Sequence, residues 1–209
     1  MPEGATNFDA AMTKLAEFRQ ANPDKPAPSL LVHSMGSIVL ATAIQTYGWR
    51  GTAEHRIFSN VLLSEPDADS QGHALWLSKL GAIERVYVTQ NSDDSVLKKS
   101  TDARTPRTNL ALGLTPVPPL APNVAYIDMT QALKKTLILG AHQIFKKSWM
   151  GGNVGSCVFV TRSLRGDSFD VSALPNVVSI GVGRFRIAKN KQPRHECFAD
   201  ADAWRRRMM

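Results

Sequence analysis

Apolar residues in the first part of the chain follow two alternating patterns. Phe8, Met12, Leu15 and Phe18 recur at helical spacing, which predicts an amphipathic helix over residues 7–20. Short apolar runs typical of strands then alternate with helical patterns. The predicted strands cover residues 29–32, 57–63, 85–89 and 124–127, and the predicted helices cover residues 37–47 and 74–80. Because the strands are short and apolar on both faces, we expect an α/β fold with a parallel sheet covered by helices.

The pattern changes after Trp149. Residues 157–160 and 177–187 predict two strands that are separated by loops. We therefore expect two parts: a core over residues 1–150 and a small, β-rich and basic extension over residues 151–209.

Composition places the chain among globular proteins. Hydrophobic residues make up 43% of the chain and charged residues 21%, which argues against a disordered chain. No apolar run approaches the roughly 20 residues that are needed to cross a bilayer. The first residues carry Glu3, Asp9 and Glu17 instead of a basic segment followed by an apolar block, so we expect no secretory signal.

No motif in the sequence predicts a bound cofactor or metal ion. Gly151, Gly152 and Gly155 predict a flexible joint, and they do not connect a strand to a helix as a phosphate-binding loop does. The two cysteines, Cys157 and Cys197, are too few for a disulfide framework or a four-thiolate zinc site. A reducing, cytoplasmic location is therefore expected.

The net charge of +7 is concentrated in the last part of the chain. Residues 151–209 hold 10 Lys and Arg against 5 Asp and Glu, whereas residues 1–150 hold 15 against 13. Arg205, Arg206 and Arg207 lie near the end. A solvated basic tail is the favoured interpretation. Nucleic-acid binding, which would weaken as salt is added, is the less favoured alternative.

Four polar residues follow predicted strands of the core: Ser34, Asp67, Asp94 and, in a loop shortly after the fourth strand, His142. The carboxyl ends of parallel strands meet at one edge of a sheet, where reactive groups gather. The sequence therefore predicts a site at this edge.

Ser34 has the surroundings that a nucleophilic serine needs. Residues 30–37 predict a strand, a tight turn and a helix in that order, and Gly36 provides a small side chain next to the turn. The amino terminus of the following helix favours negative charge at the site. The Met35 backbone N–H is then a candidate donor to an oxyanion. A serine hydroxyl also requires a base within hydrogen-bond reach and a group that orients the base.

Residues 32–36 (Val-His-Ser-Met-Gly) resemble the nucleophile elbow of the alpha/beta-hydrolase fold. The chain is similar to a bacterial esterase/lipase-like family long catalogued as a domain of unknown function (DUF900-type), over roughly residues 7–148. Further segments that resemble the family are residues 62–69, with their Pro-Asp-x-Asp motif, and residues 85–100, 123–128 and 140–145.

The resemblance implies a serine hydrolase of carboxylic esters. Carried over by position, it makes Ser34 the nucleophile, Asp94 the acid and His142 the base, in the chain order of this fold. Asp93 and Asp67 remain alternatives for the acid, and Asp67 and His33 are expected to line the pocket. A small-molecule ester is the expected substrate.

Two departures from the family pattern keep an alternative function open. Val32 occupies a position where the elbow has Gly or Ala, so strain is expected in the turn. The family's amino-terminal strands, with their second oxyanion donor, have no counterpart before residue 7. The alternative is a catalytically impaired hydrolase-like module with a binding or structural role. An uncovered sheet edge would also favour homo-oligomers.

Overall fold

Six strands form one sheet in the part of the chain that the structure describes. The computed structural model describes residues 2–52, 56–80, 85–103, 109–133, 142 and 153–189. In chain order, the strands are β1 (Leu30–His33), β2 (Asn60–Ser64), β3 (Arg85–Gln90), β4 (Val124–Asp128), β5 (Val177–Gly181) and β6 (Arg184–Ile187). Their order across the sheet is β1-β2-β3-β4-β6-β5, and only β5 runs antiparallel to its neighbour. The predicted α/β fold is confirmed, and the sheet, which was expected to be parallel, is parallel except at β5.

Helices lie between the strands and beside the sheet. The described helices are α1 (Pro2–Ala21), α2 (Gly36–Tyr47), α3 (His73–Leu77), α4 (Ser95–Ala103) and α5 (Val154–Arg165). A 3₁₀ turn, Ser78–Leu80, continues α3, and a second one, Val171–Ala173, precedes β5. None of the described helices has both the length and the apolar character that crossing a membrane requires.

Alternating side chains on the parallel strands build two cores, one on each face of the sheet. Val61 and Leu63 of β2 pack with Leu40 and Ile44 of α2 and with residues of α1. Leu62, which points the other way, belongs to a second core that also contains Phe159 of α5. Burial on both faces explains why the strands are uninterrupted apolar runs.

The strand predicted over residues 157–160 is wrong, because these residues lie inside α5. Asn153 caps the helix: its side-chain oxygen accepts the Ser156 N–H at 3.1 Å. A short apolar run cannot distinguish a buried helix from a strand by its period alone. Gly155 is also helical and packed, since an added Cβ would lie 2.2 Å from the Pro175 carbonyl oxygen. This glycine is therefore not part of a flexible joint.

The segment after residue 150 extends the core sheet. Residues 177–187, expected to be one strand, form a hairpin of β5 and β6, and β6 pairs with β4. The predicted boundary near residue 150 lies outside the described residues and stays a prediction. The cytoplasmic location likewise stays a prediction.

The register of the sheet aligns the ends of its parallel strands. His33 at the end of β1 lies beside Ser64 at the end of β2, and Gln90 at the end of β3 lies beside Asp128 of β4. The loops that follow these strands therefore start from the same edge, and this edge carries the predicted polar residues.

Candidate active site

Ser34 occupies a strained turn between β1 and α2. Its φ of 51° lies in the left-handed region, which costs a residue other than glycine about 1–3 kcal/mol. Hydrogen bonds hold the turn: the Ser34 N–H donates to the Ser64 carbonyl, and the Asp67 N–H donates to the Ser34 carbonyl, both at 3.2 Å. The turn is thus fixed to the end of β2 and the loop that follows it.

Ser37, at the start of α2, also stabilises the turn at Ser34 through hydrogen bonds. Its hydroxyl donates to the Ser34 carbonyl at 2.6 Å and accepts the Ala68 N–H at 2.8 Å. The side chain is fully buried. Ser37 was not predicted as a site residue, because its role depends on a contact with a loop 31 residues away.

Val32 is accommodated in the elbow. Its Cγ1 would lie 3.5 Å from a Cβ added to Gly36, which is an ordinary van der Waals distance. Ser34 reaches its left-handed conformation with a valine at position 32.

The Asp94 carboxylate is fully buried and uses its two oxygens differently. Oδ1 accepts the N–H groups of Val96 and Leu97 at 2.9 and 3.1 Å, which caps the amino terminus of α4. Oδ2 accepts a hydrogen bond from His142 Nδ1 at 2.7 Å. The cap thus fixes the carboxylate that contacts the imidazole.

The other ring nitrogen of His142 reaches Ser34. Its Nε2 lies 3.0 Å from Ser34 Oγ, so Ser34, His142 and Asp94 form a continuous hydrogen-bonded chain. The two alternative acids have other contacts. Asp67 Oδ2 accepts a hydrogen bond from the Ser100 hydroxyl at 2.7 Å. Asp93 is half-buried, and its backbone N–H donates to the Asn91 side-chain oxygen.

A family match identifies the family of the chain independently of this geometry. The family described as alpha/beta hydrolase of unknown function (DUF900) matches residues 4–108, about half of the chain. The chain belongs to this family. The resemblance expected from the elbow is therefore confirmed. Ser34, Asp67 and Asp94 lie within the match, and His142 lies beyond it. A search of curated proteins and a search of solved structures found no significant match.

In this alpha/beta hydrolase, carboxylates stabilise the charged form of His142. Burial alone would lower the pKa of His142. The hydrogen bond to Asp94 and the negative charges of Asp94, Glu65 and Asp67 outweigh burial and raise that pKa above its ordinary value of 6.5. A proton taken up by the imidazole is therefore held more firmly than in water.

Glu65 is a site residue that was not predicted. Its carboxylate is fully buried, and its φ of 50° is left-handed like that of Ser34. Glu65 Oε2 lies 3.1 Å from His33 Nε2, and its backbone N–H donates to the Thr89 hydroxyl. His33 Nε2 also lies 3.2 Å from the His142 carbonyl oxygen. The sequence signal that could have indicated Glu65 is its position directly before the Pro-Asp pair, at the end of an apolar strand.

His33 lies next to the catalytic candidates, and its side chain is 32% exposed. Its ring centroid is 4.9 Å from that of His142. Lining of a pocket by His33 and Asp67 stays a prediction.

Met35 is the N-cap of α2. Its N–H therefore lies at the start of the helix, where N–H groups lack intrahelical acceptors.

In the described part of the chain, no further histidine contacts Ser34, Asp94, His142 or His33. His73 is buried, and its Nε2 pairs with the Tyr126 hydroxyl at 2.8 Å. Burial lowers the pKa of His73. His55 and His195 lie outside the described residues.

Proposed function

We propose that this alpha/beta hydrolase is a serine hydrolase of carboxylic esters. Ser34 is the nucleophile, His142 is the general base, and Asp94 orients the imidazole. The observation that carries the proposal is the pair of contacts on His142, 3.0 Å to Ser34 Oγ and 2.7 Å to Asp94 Oδ2. Both distances fit the hydrogen bonds that such a triad requires.

The proposed reaction has two halves. As Ser34 Oγ bonds to the ester carbonyl carbon, its proton passes to His142 Nε2, and the carbonyl oxygen becomes an oxyanion. His142 then protonates the leaving alcohol as the ester bond breaks, which leaves an acyl-enzyme. A water molecule, deprotonated by the same nitrogen, releases the carboxylic acid and restores Ser34.

Local electrostatics favour the intermediate of this reaction. The Asp94 carboxylate, together with the charges of Glu65 and Asp67, stabilises His142 while it is protonated. The Met35 N–H, at the start of α2, is proposed to donate to the oxyanion, since the helix dipole also favours negative charge there. The strained conformation of Ser34 fits a hydroxyl that projects from a sharp turn.

Ester hydrolysis by matched variants tests the proposal. We expect the whole chain to hydrolyse short p-nitrophenyl esters, and Ser34→Ala to lower kcat by at least about 10³-fold. Ser78→Ala, which changes an exposed serine far along the chain, is the control and should keep the wild-type rate. Equal rates in Ser34→Ala and the wild type, with both folded, would instead support the impaired module.

A further inference from the structure

We propose that His33, Glu65 and His142 together bind a divalent transition-metal ion such as Zn²⁺. One ligand atom from each of these three residues lies within 4.8 Å of the other two. Two imidazole nitrogens and a carboxylate oxygen are a ligand set that Zn²⁺ favours, with a fourth position left for water. The three residues are called the His-Glu-His cluster below.

The distance between the first two ligands already suits a metal ion. His33 Nε2 and Glu65 Oε2 are 3.1 Å apart. Tetrahedral bonds of about 2.0–2.1 Å separate neighbouring ligand atoms by about 3.3 Å. The His142 nitrogen, at 4.8 Å or less, has to approach by about 1.5 Å at most to complete the set. The proposal therefore requires the His142 ring to turn from Ser34 towards Glu65.

Charge around the His-Glu-His cluster favours a cation. The carboxylates of Glu65 and Asp94 are fully buried, and that of Asp67 is nearly so. Carboxylates gathered at a site of low water content attract a cation more strongly than they would in water.

Asp94 also provides the outer contact that metal-binding histidines use. A histidine ligand usually donates its second N–H to a carboxylate, which fixes the ring and raises its basicity. The 2.7 Å contact between His142 Nδ1 and Asp94 Oδ2 is a contact of this kind. His142 can therefore offer Nε2 to the ion and keep its contact with Asp94.

An ion reaches the cluster from the side where the histidines are exposed. The His33 side chain is 32% exposed and that of His142 12%, while Glu65 lies buried behind them.

Metal binding would remove the nitrogen that the proposed reaction needs. His142 Nε2 cannot accept the Ser34 proton while it is bonded to the ion, so bound Zn²⁺ would inhibit hydrolysis reversibly. This consequence rests on the proposed function, whereas the binding itself does not.

Calorimetric titration with ZnCl₂ of the whole chain and its variants tests the binding. We expect one ion per chain for the wild type and for Ser34→Ala, which keeps all three ligands. Glu65→Gln and His33→Gln should each bind at least about tenfold more weakly. His73→Gln is the matched control: it changes a described histidine whose Nε2 pairs with the Tyr126 hydroxyl and which does not belong to the cluster, and it should bind like the wild type.

Two outcomes would overturn the binding proposal: no stoichiometric binding to the wild type, or unchanged affinity in His33→Gln. If Glu65→Gln does not fold, the affinity of His33→Gln is the deciding measurement, because His33 is partly exposed. In a parallel ester assay, Zn²⁺ should inhibit the wild type, and a chelator should restore its rate. Hydrolysis that continues with Zn²⁺ bound would refute the inhibition. An absence of hydrolysis in the metal-free wild type would refute the proposed function and leave the calorimetric result standing.

Discussion

At the residue scale, Asp94 combines a structural contact with a proposed catalytic one. Oδ1 caps α4 and Oδ2 contacts His142. An asparagine keeps an oxygen for the cap but presents no second oxygen and no charge to the imidazole. We predict that Asp94→Asn lowers kcat/KM for ester hydrolysis by about 10³–10⁴-fold while the chain stays folded. Steady-state kinetics and thermal melting measure the two effects.

Asp93→Asn is the control for this prediction, since the same change is made one residue earlier. Its rate should stay within a few-fold of the wild type, because Asp93 is half-buried and its N–H is bonded to Asn91. A loss in Asp93→Asn as large as in Asp94→Asn would contradict the assignment of the acid.

Glu65 gives a prediction about pH. The proposed base works only as neutral imidazole, so kcat/KM should fall as the pH falls through the raised pKa of His142, above 6.5. Glu65→Gln removes one of the negative charges that raise this pKa. We predict that the acid limb of the kcat/KM profile moves to lower pH in this variant.

Asp9→Asn, which disrupts the ion pair between Asp9 of α1 and Arg50, is the control. This variant should leave the acid limb of the profile in place. Profiles of kcat/KM against pH for the three proteins measure the effect. An acid limb that moves to higher pH in Glu65→Gln would show that the electrostatic account of His142 is wrong.

Sequence reasoning selected Ser34, Asp94 and His142 as candidates because their order, and their positions after strands, follow from local patterns and the family resemblance. It could not find Ser37 and Glu65. Their roles come from contacts between β1, the start of α2 and the end of β2, which no local period encodes. It also left Asp93 and Asp67 open, because only the packed geometry selects the carboxylate that meets His142.

At the element scale, α5 was the main error of sequence reasoning. The apolar stretch at residues 157–160 is a short run whose period does not separate helix from strand, and the glycine before it suggested a joint. The cap formed by Asn153 and the contact of Gly155 with Pro175 are the features that define the helix. The strands of the core, by contrast, were predictable because burial on both faces makes them continuously apolar.

Gly155 provides a test of this packing. An alanine Cβ would lie 2.2 Å from the Pro175 carbonyl oxygen, so the hairpin segment or α5 has to move. We predict that Gly155→Ala lowers the free energy of unfolding by about 1–3 kcal/mol. Denaturant unfolding measures this.

Gly4→Ala in α1 is the matched control, because its Cβ would meet only Val39 at an ordinary 3.6 Å. Alanine is favoured in a helix, so this variant should be as stable as the wild type or more stable. Equal stabilisation by both substitutions would contradict the described packing of α5.

At the scale of the whole molecule, β1 is an edge of the described sheet and also leads into Ser34. An edge strand presents backbone groups that can pair with another chain. We predict concentration-dependent self-association through β1. Sedimentation velocity should show it, and hydrogen exchange of the β1 amides should slow at high concentration. The opposite edge, β5, is the internal control. A monomer at all concentrations, or protection confined to β5, would contradict this prediction.

The central claim is that Ser34 is a nucleophile activated by His142 and Asp94. Reaction of the whole chain with a fluorophosphonate, followed by peptide mass spectrometry, tests it most directly, because these probes bond to activated serines. We predict one adduct, located on Ser34, that is absent after heat denaturation and strongly reduced in Asp94→Asn. No adduct on Ser34, under conditions in which a known serine hydrolase is fully labelled, would contradict the account.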